Sequence, residues 1–186
     1  MRVTLSLLFA VLVGCHAPAQ KPTEGNGPVP DVKEHLARAE RARREGQIDA
    51  ALREFRFVRQ SAPDTDASRA AETAIVDLEV SVISRSEHLS LPQPEAGLPN
   101  GGEGVPLTQL RIDNRTHARL HVFLKGPQVS LVEVAADGSA ELRVLPGPYE
   151  VGIRGDDPSA LPLYGRHLYD VGKRHRFLLE NSDVPR

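Results

Sequence analysis

Between Ser90 and Pro106 the chain carries Pro92, Pro94, Pro99 and Pro106 together with Gly97, Gly101, Gly102 and Gly104. Proline fixes φ and lacks an N–H, and glycine is the residue most costly to order, so a stretch this rich in both stops the helical pattern that reaches it. Upstream of it apolar residues recur every three or four positions, and downstream they alternate. The 186 residues therefore predict an α+β chain of two small domains: a three-helix unit over 31–85, a flexible Pro/Gly linker over 86–106, an antiparallel β-sandwich over 107–181 and a tail of 182–186. Apolar residues make up 40% and charged residues 26%, enough for two modest cores. Aromatics are only 4% and Trp is absent, so the cores must be built from Leu, Val, Ile and Ala, and large aromatic binding platforms are not expected.

In the helical part, Asp31 followed by Glu34 has capping-box spacing, and Val32, Leu36 and Ala39 continue at helical intervals behind it. Gly46 ends this helix. A second runs from Ile48 to Ser61 with Ile48, Ala51, Leu52, Phe55 and Val58 on one face, before Pro63 prevents continuation. Ala39, Gly46, Asp49, Ala51, Leu52, Phe55 and Pro63 fall at the mutual spacing of a tetratricopeptide repeat, and the stretch resembles one such repeat. The resemblance implies an antiparallel hairpin in which Ala39 and Ala51 let the helices approach, Gly46 makes the turn, Phe55 fills the groove, Leu52 packs within the hairpin and Pro63 sets up the next helix. His35, Arg38 and Ala42 stand where that family has a large aromatic, a Leu and a Tyr, and a generic helical hairpin fits the same pattern.

Asp64, Thr65 and Asp66 offer caps for a third helix, from Ala67 to Ser84, with two apolar stripes. Ala71, Ile75, Leu78 and Val82 form the first. Val76, Val80 and Ile83 form the second, set apart by Glu72 and Glu79. One stripe is expected on the hairpin. The other needs a second surface: the β-domain, another copy of the chain or a partner protein.

Beyond the linker, about seven short β-type segments alternate with turn residues. Leu120, Val122 and Leu124 alternate with Arg119, His121, Phe123 and Lys125, and Asp137-Gly138 predicts a hairpin turn. The run from Val134 through Asp137-Gly138 to Leu145-Pro146-Gly147-Pro148-Tyr149 resembles the carboxypeptidase regulatory-like and transthyretin-like sandwiches. That resemblance implies a structural or adhesive module, with the Tyr149 ring at the sandwich edge and its hydroxyl reaching solvent.

The chain opens with Arg2, an apolar run from Val3 to Val13 broken by Thr4 and Ser6, and small Gly14 before Cys15, the sole cysteine. This run is shorter than the ~20 residues that span a bilayer and reads as a signal peptide over 1–14. Leu12-Val13-Gly14-Cys15 resembles the lipobox of bacterial lipoproteins, which implies cleavage before Cys15 and acylation of its sulfur, with fatty acids such as palmitate. Two or three acyl chains give stable anchoring where one does not. His16 rather than Asp follows the cysteine, which implies an outer-membrane address facing the periplasm in a cell with two membranes. Residues 15–30 hold Pro18, Pro22, Gly25, Gly27, Pro28 and Pro30 and read as a disordered tether. Such a length reaches on the order of 50 Å stretched and roughly 20 Å as a coil.

Loss of Arg2 with the leader leaves 22 of 23 Lys and Arg against 25 Asp and Glu, which disfavours a nucleic-acid partner. No catalytic constellation, cofactor or metal site is expected. His117 with His121, and His167 with His175 across a hairpin, are histidine pairs without a third ligand. Asp156-Asp157-Pro158 reads as a turn, as does the sequon Asn114-Arg115-Thr116, and Ser139 and Ser159 lack an elbow motif. The arginines of the hairpin interleave with Glu40, Glu45, Asp49 and Glu54 as a solvated face. The expectation is a non-enzymatic interaction or accessory lipoprotein with an envelope protein partner and an oligomeric state left open. The alternative is a solute- or glycan-binding β-module on the same tether.

Overall fold

A computed structural model describes residues 31–99 and 106–180. The leader, Cys15 and the tether lie outside the described residues. Three helices come first: α1 (Val32–Arg44), α2 (Ile48–Ser61) and α3 (Asp66–Arg85). The Asp31 carboxylate accepts from the backbone N–H groups of Lys33 at 3.0 Å and Glu34 at 3.3 Å, satisfying donors that α1 itself leaves free. At the other end Gln47 N donates to Ala42 O and Gly46 N to Arg43 O, a closing pair that needs Gly46 at φ +73°. Nothing lies within 4 Å of a Cβ built on Gly46, so its dihedral rather than crowding demands glycine. Of the three cap candidates before α3, Thr65 takes the role, its Oγ1 accepting from Ser68 N at 3.2 Å.

Nine strands follow among the described residues: β1 (Leu89–Ser90), β2 (Glu95–Pro99), β3 (Thr108–Arg115), β4 (Leu120–Lys125), β5 (Ser130–Val134), β6 (Ser139–Val144), β7 (Gly147–Gly155), β8 (Leu163–Tyr169) and β9 (Lys173–Glu180). They form two facing sheets, ordered β1-β8-β7-β4-β5 and β2-β9-β3-β6. The α+β layout of three helices followed by a strand-rich part is the one the periodicity predicts. Most pairs are antiparallel, but β3 runs parallel to β9 and β1 parallel to β8, which makes both sheets mixed.

Two local expectations are corrected. The stretch expected to be a linker over 86–106 supplies β1 and β2, each at the edge of a sheet, where a strand needs a ladder on one side only and proline is tolerated. Asp137-Gly138 is a turn, with Asp137 at φ 52° and Gly138 N donating to Ala135 O at 3.1 Å. It joins β5 of one sheet to β6 of the other, and is therefore a crossing between layers instead of a hairpin.

One core lies between the sheets and includes Leu110, Ile112, Leu124, Val151, Ile153, Phe177 and Leu179. The second packs Ala39, Ala51, Phe55, Val58, Ala71 and Ile75 between the helices and extends through Val76, Val80 and Ile83 to Phe123 of β4. Leu131 and Tyr164 pack on its margin. The helical unit thus sits on the outer face of the five-stranded sheet.

Candidate functional site

Where α2 and α3 meet that sheet, a cleft of about 690 Å³ opens along the seam. Its floor is Glu79, fully buried although charged. Arg56 Nη2 of α2 donates to Glu79 Oε1 at 2.6 Å, and Arg154 Nη2 of β7 stands 3.3 Å from Oε2, within ion-pair range but not aligned as a hydrogen bond. A buried carboxylate is tolerable only when paired in this manner. The two arginines come from different units, so Glu79 ties helices and sandwich together while each guanidinium keeps one side toward the cleft, with side-chain exposures of 50% and 39%.

A second tie lies at the edge strand β5. Glu72 Oε1 accepts from Leu131 N at 3.2 Å, and its other oxygen accepts from Arg59 Nε at 3.3 Å. Arg59 also reaches Glu133 at 3.9 Å. A helix carboxylate therefore satisfies a backbone donor that the sheet edge would leave open. Across the cleft His121 Nε2 contacts Asp156 Oδ1 at 2.8 Å. Asp157 accepts from both the hydroxyl and the N–H of Ser159, and those bonds hold its carboxyl below the usual range. The cleft wall thus carries fixed charges of both signs, held by partners on both units, with Phe123, Leu131 and Ile75 between them.

Cys15 and the lipobox residues Leu12, Val13 and Gly14 lie outside the described residues. Ala39, Ala51 and Phe55 are fully buried and Leu52 nearly so, in the core that the helices share. Pro63 follows α2 and is exposed. For the stripe Val76, Val80 and Ile83, a candidate partner surface with the β-domain and a second copy as the other covers, the partner reading is corrected: the cover is the β-domain. All three are at most 1% exposed, covered by the chain's own sandwich through Phe123, Leu131, Tyr164 and the bare backbone of Gly152. Glycine at 152 leaves room for α3, which is why the stripe needs no outside partner.

His117 lies in an exposed turn 3.7 Å from Asp137, so it does not join His121. His167 and His175 belong to strands of different sheets and both point inward, with Tyr169 between their rings at centroid distances of 6.3 Å and 5.0 Å. Burial pushes both imidazoles down; His175 adds to that on His167, and on His175 the nearby Asp170 works in the opposite direction. Among the described residues no group of three or more His, Cys, Asp or Glu is arranged to hold a metal ion. No described helix is long and apolar enough to cross a membrane.

Three polar features escape a sequence reading. Glu79 reads there as one of two separators between stripes, because its partner Arg154 lies far along the chain. Asp113 sits between Arg111 and Arg176; burial pushes its carboxyl up, but the two guanidiniums outweigh this and hold it below the usual range. Tyr149 is 2% exposed, and its hydroxyl donates to Leu145 O at 3.0 Å and accepts from Gln128 N at 3.3 Å. The hydroxyl expected in solvent is therefore tied to the backbone. No protein-family model and no curated protein matches this chain.

Proposed function

We propose that this protein is a lipid-anchored lipoprotein of the cell envelope, held through Cys15, that serves as a non-enzymatic interaction or accessory factor for an envelope protein. In a cell with two membranes its place is the outer membrane, with the folded body facing the periplasm. The leader ending in Leu12-Val13-Gly14-Cys15 supports the anchor. The observation that carries the binding role is the seam cleft, because its walls come from both units and its charges are held in place before any partner arrives. Arg56, Arg59 and Arg154 line it together with Glu133, Asp156 and Asp157 and the apolar Ile75, Phe123 and Leu131, a mixture suited to a polypeptide segment that offers both charges and apolar side chains.

The cleft volume also lies within the range of small-molecule sites, which favours the solute- or glycan-binding reading as the second one. A photo-crosslinking residue at Gln60, on the cleft, and another at Lys33, exposed on α1 outside the cleft lining, distinguish the two in intact envelopes. A protein adduct from position 60, absent from position 33 and lost with Arg154→Glu, supports the first reading. No adduct, together with a thermal shift on adding sugars or peptidoglycan fragments, replaces it with the second. Metabolic labelling with an alkynyl fatty acid tests the anchor separately, and a bare Cys15 overturns it.

A further inference from the structure

We infer that one end of the sandwich is a docking surface for an anionic lipid bilayer, additional to the tether and resting on the reading that the chain is lipid-anchored. Leu145, Leu168 and Val171 are the exposed large apolar side chains among the described residues, at 44%, 67% and 61% exposure. The topology gathers them at one end. Lys125 closes β4, Val144 closes β6, Gly147 opens β7, Tyr169 closes β8 and Lys173 opens β9, and the registers Lys125↔Glu150, Thr108↔Val144 and Gly147↔Tyr169 set these ends side by side. The turns after β6 and β8, which carry Leu145 and Val171, thus both lie at this end. Leu168 stands opposite exposed Pro148 beside a shallow depression of about 480 Å³, whose lining includes Lys125 and Arg166.

Charge selects the occupant. This end carries Lys125, Arg143, Arg166, Lys173 and Arg174 against Asp77, Glu150 and Asp170, in a chain whose formal net charge is −2. Lys125 is paired with Asp77 of α3 at 3.0 Å and Arg166 with Glu150 at 2.9 Å, but Arg143 and Lys173 have no ion-pair partner among the described residues. At the opposite end, the turns hold Asp137, Asp156 and Asp157 against Arg115 and Arg119. Apolar prongs ringed by cations are the chemistry of an interface with acidic headgroups: the prongs enter the acyl boundary and the cations meet phosphates. A protein partner would find the same prongs, but the excess of cations and the lipid on the same chain favour the bilayer.

The test uses the full acylated chain in vesicles of phosphatidylethanolamine and phosphatidylglycerol. Because Cys15 is the sole cysteine, Leu168→Cys, Val171→Cys and Ala136→Cys each provide one site for an environment-sensitive fluorophore; Ala136 lies at the opposite end. Labels at 168 and 171 are expected to shift to the blue and to be quenched by a lipid-borne quencher, with the label at 136 unaffected. Replacing phosphatidylglycerol by phosphatidylcholine should lower the docked population about fivefold for each cation that meets a headgroup. Equal quenching at all three positions, or none at 168 and 171, overturns the inference. The parent chain reports on the anchor independently: if it takes up fluorophore, Cys15 is bare and the tether reading fails. The three positions are then compared in a Cys15→Ser background, where the same contrast decides for or against the docking end.

Discussion

Ile83 Cδ1 of α3 lies 3.0 Å from the point where a Cβ on residue 152 of β7 would stand, so the absence of a side chain at Gly152 is what lets the third helix lie against the sheet. Ile83 is fully buried there, and Val80 Cγ2 follows at 3.7 Å. Gly152→Val should destabilise the protein by about 1–3 kcal/mol through overpacking. Ile83→Val removes the methyl in the way. It should cost about 0.5–1.5 kcal/mol alone, but the pair should cost less than the sum by about 0.5 kcal/mol or more. Urea denaturation of the two single variants and the double variant measures this coupling. Strict additivity would mean that helix and sheet do not meet at this point.

Glu79 bears on whether the two cores unfold together. Its carboxylate has no exposure and is shared by Arg56 and Arg154. Removing one member of a buried ion pair costs about 3–5 kcal/mol, and here solvent reaches both arginines, so Glu79→Ala should fall near about 2–3 kcal/mol. Helix-sensitive circular dichroism and a fluorophore on the sandwich should give coincident transitions in the parent chain. In the variant the midpoint should drop in both. A variant as stable as the parent would show that the seam is held by packing alone.

How much of this was legible follows from the range of each interaction. The three helices and the strands from β3 to β9 are marked locally, by caps such as Asp31 and Thr65, by Gly46, and by alternation such as that around Leu120, Val122 and Leu124. What the sequence hides is which sheet a strand joins. Asp137-Gly138 has the composition of a hairpin yet crosses between layers, because β6 finds its ladder with β3 and not with β5. The edge strand β2 was hidden by Pro99, whose restriction applies to strands paired on both sides, and β1 by its length of two residues just before Pro92 and Pro94. In the cleft Glu79 and Arg154 each look like ordinary surface charges until the helices are placed on the sheet.

Asn114 supplies a further prediction, because its side chain holds the turn between β3 and β4. It is 1% exposed; Nδ2 donates to Ala118 O and Ala135 O at 2.8 Å each, and Oδ1 accepts from Thr116 N at 2.9 Å and from Thr116 Oγ1 at 2.7 Å. Asn114→Ala leaves the buried Thr116 N–H without its acceptor and removes one donor each from Ala118 O and Ala135 O, which keep Thr116 Oγ1 and Gly138 N, at a cost of about 1–3 kcal/mol. Asn114→Asp keeps the shape but points a charge at carbonyl oxygens, and should be the worse of the two near neutral pH. Thermal unfolding of both variants checks the order; a milder aspartate would mean that shape alone matters at this turn.

The buried histidines predict an acid limb in the stability profile. His167 and His175 are each 7% exposed on facing sheets, and Nε2 of each has no hydrogen-bond partner among the described residues, so the neutral ring is the form the fold accepts. Burial lowers both pKa values from the ordinary 6.5. As pH falls through the ordinary value the unfolded chain takes up protons that the folded chain still refuses, so stability decreases with falling pH. The full contribution is present above about pH 6.5 and is lost as pH falls toward and through the lowered folded values, with a slope of at most about 1.4 kcal/mol per pH unit for each histidine. Asp113, held below the usual carboxylate range by Arg111 and Arg176, adds its own loss only in stronger acid, below about pH 4. Urea midpoints between pH 5 and pH 7 should therefore rise with pH in the parent chain and flatten in the double variant His167→Gln with His175→Gln. An unchanged slope in that variant would place the acid limb on other groups and leave the two imidazoles as plain packing residues.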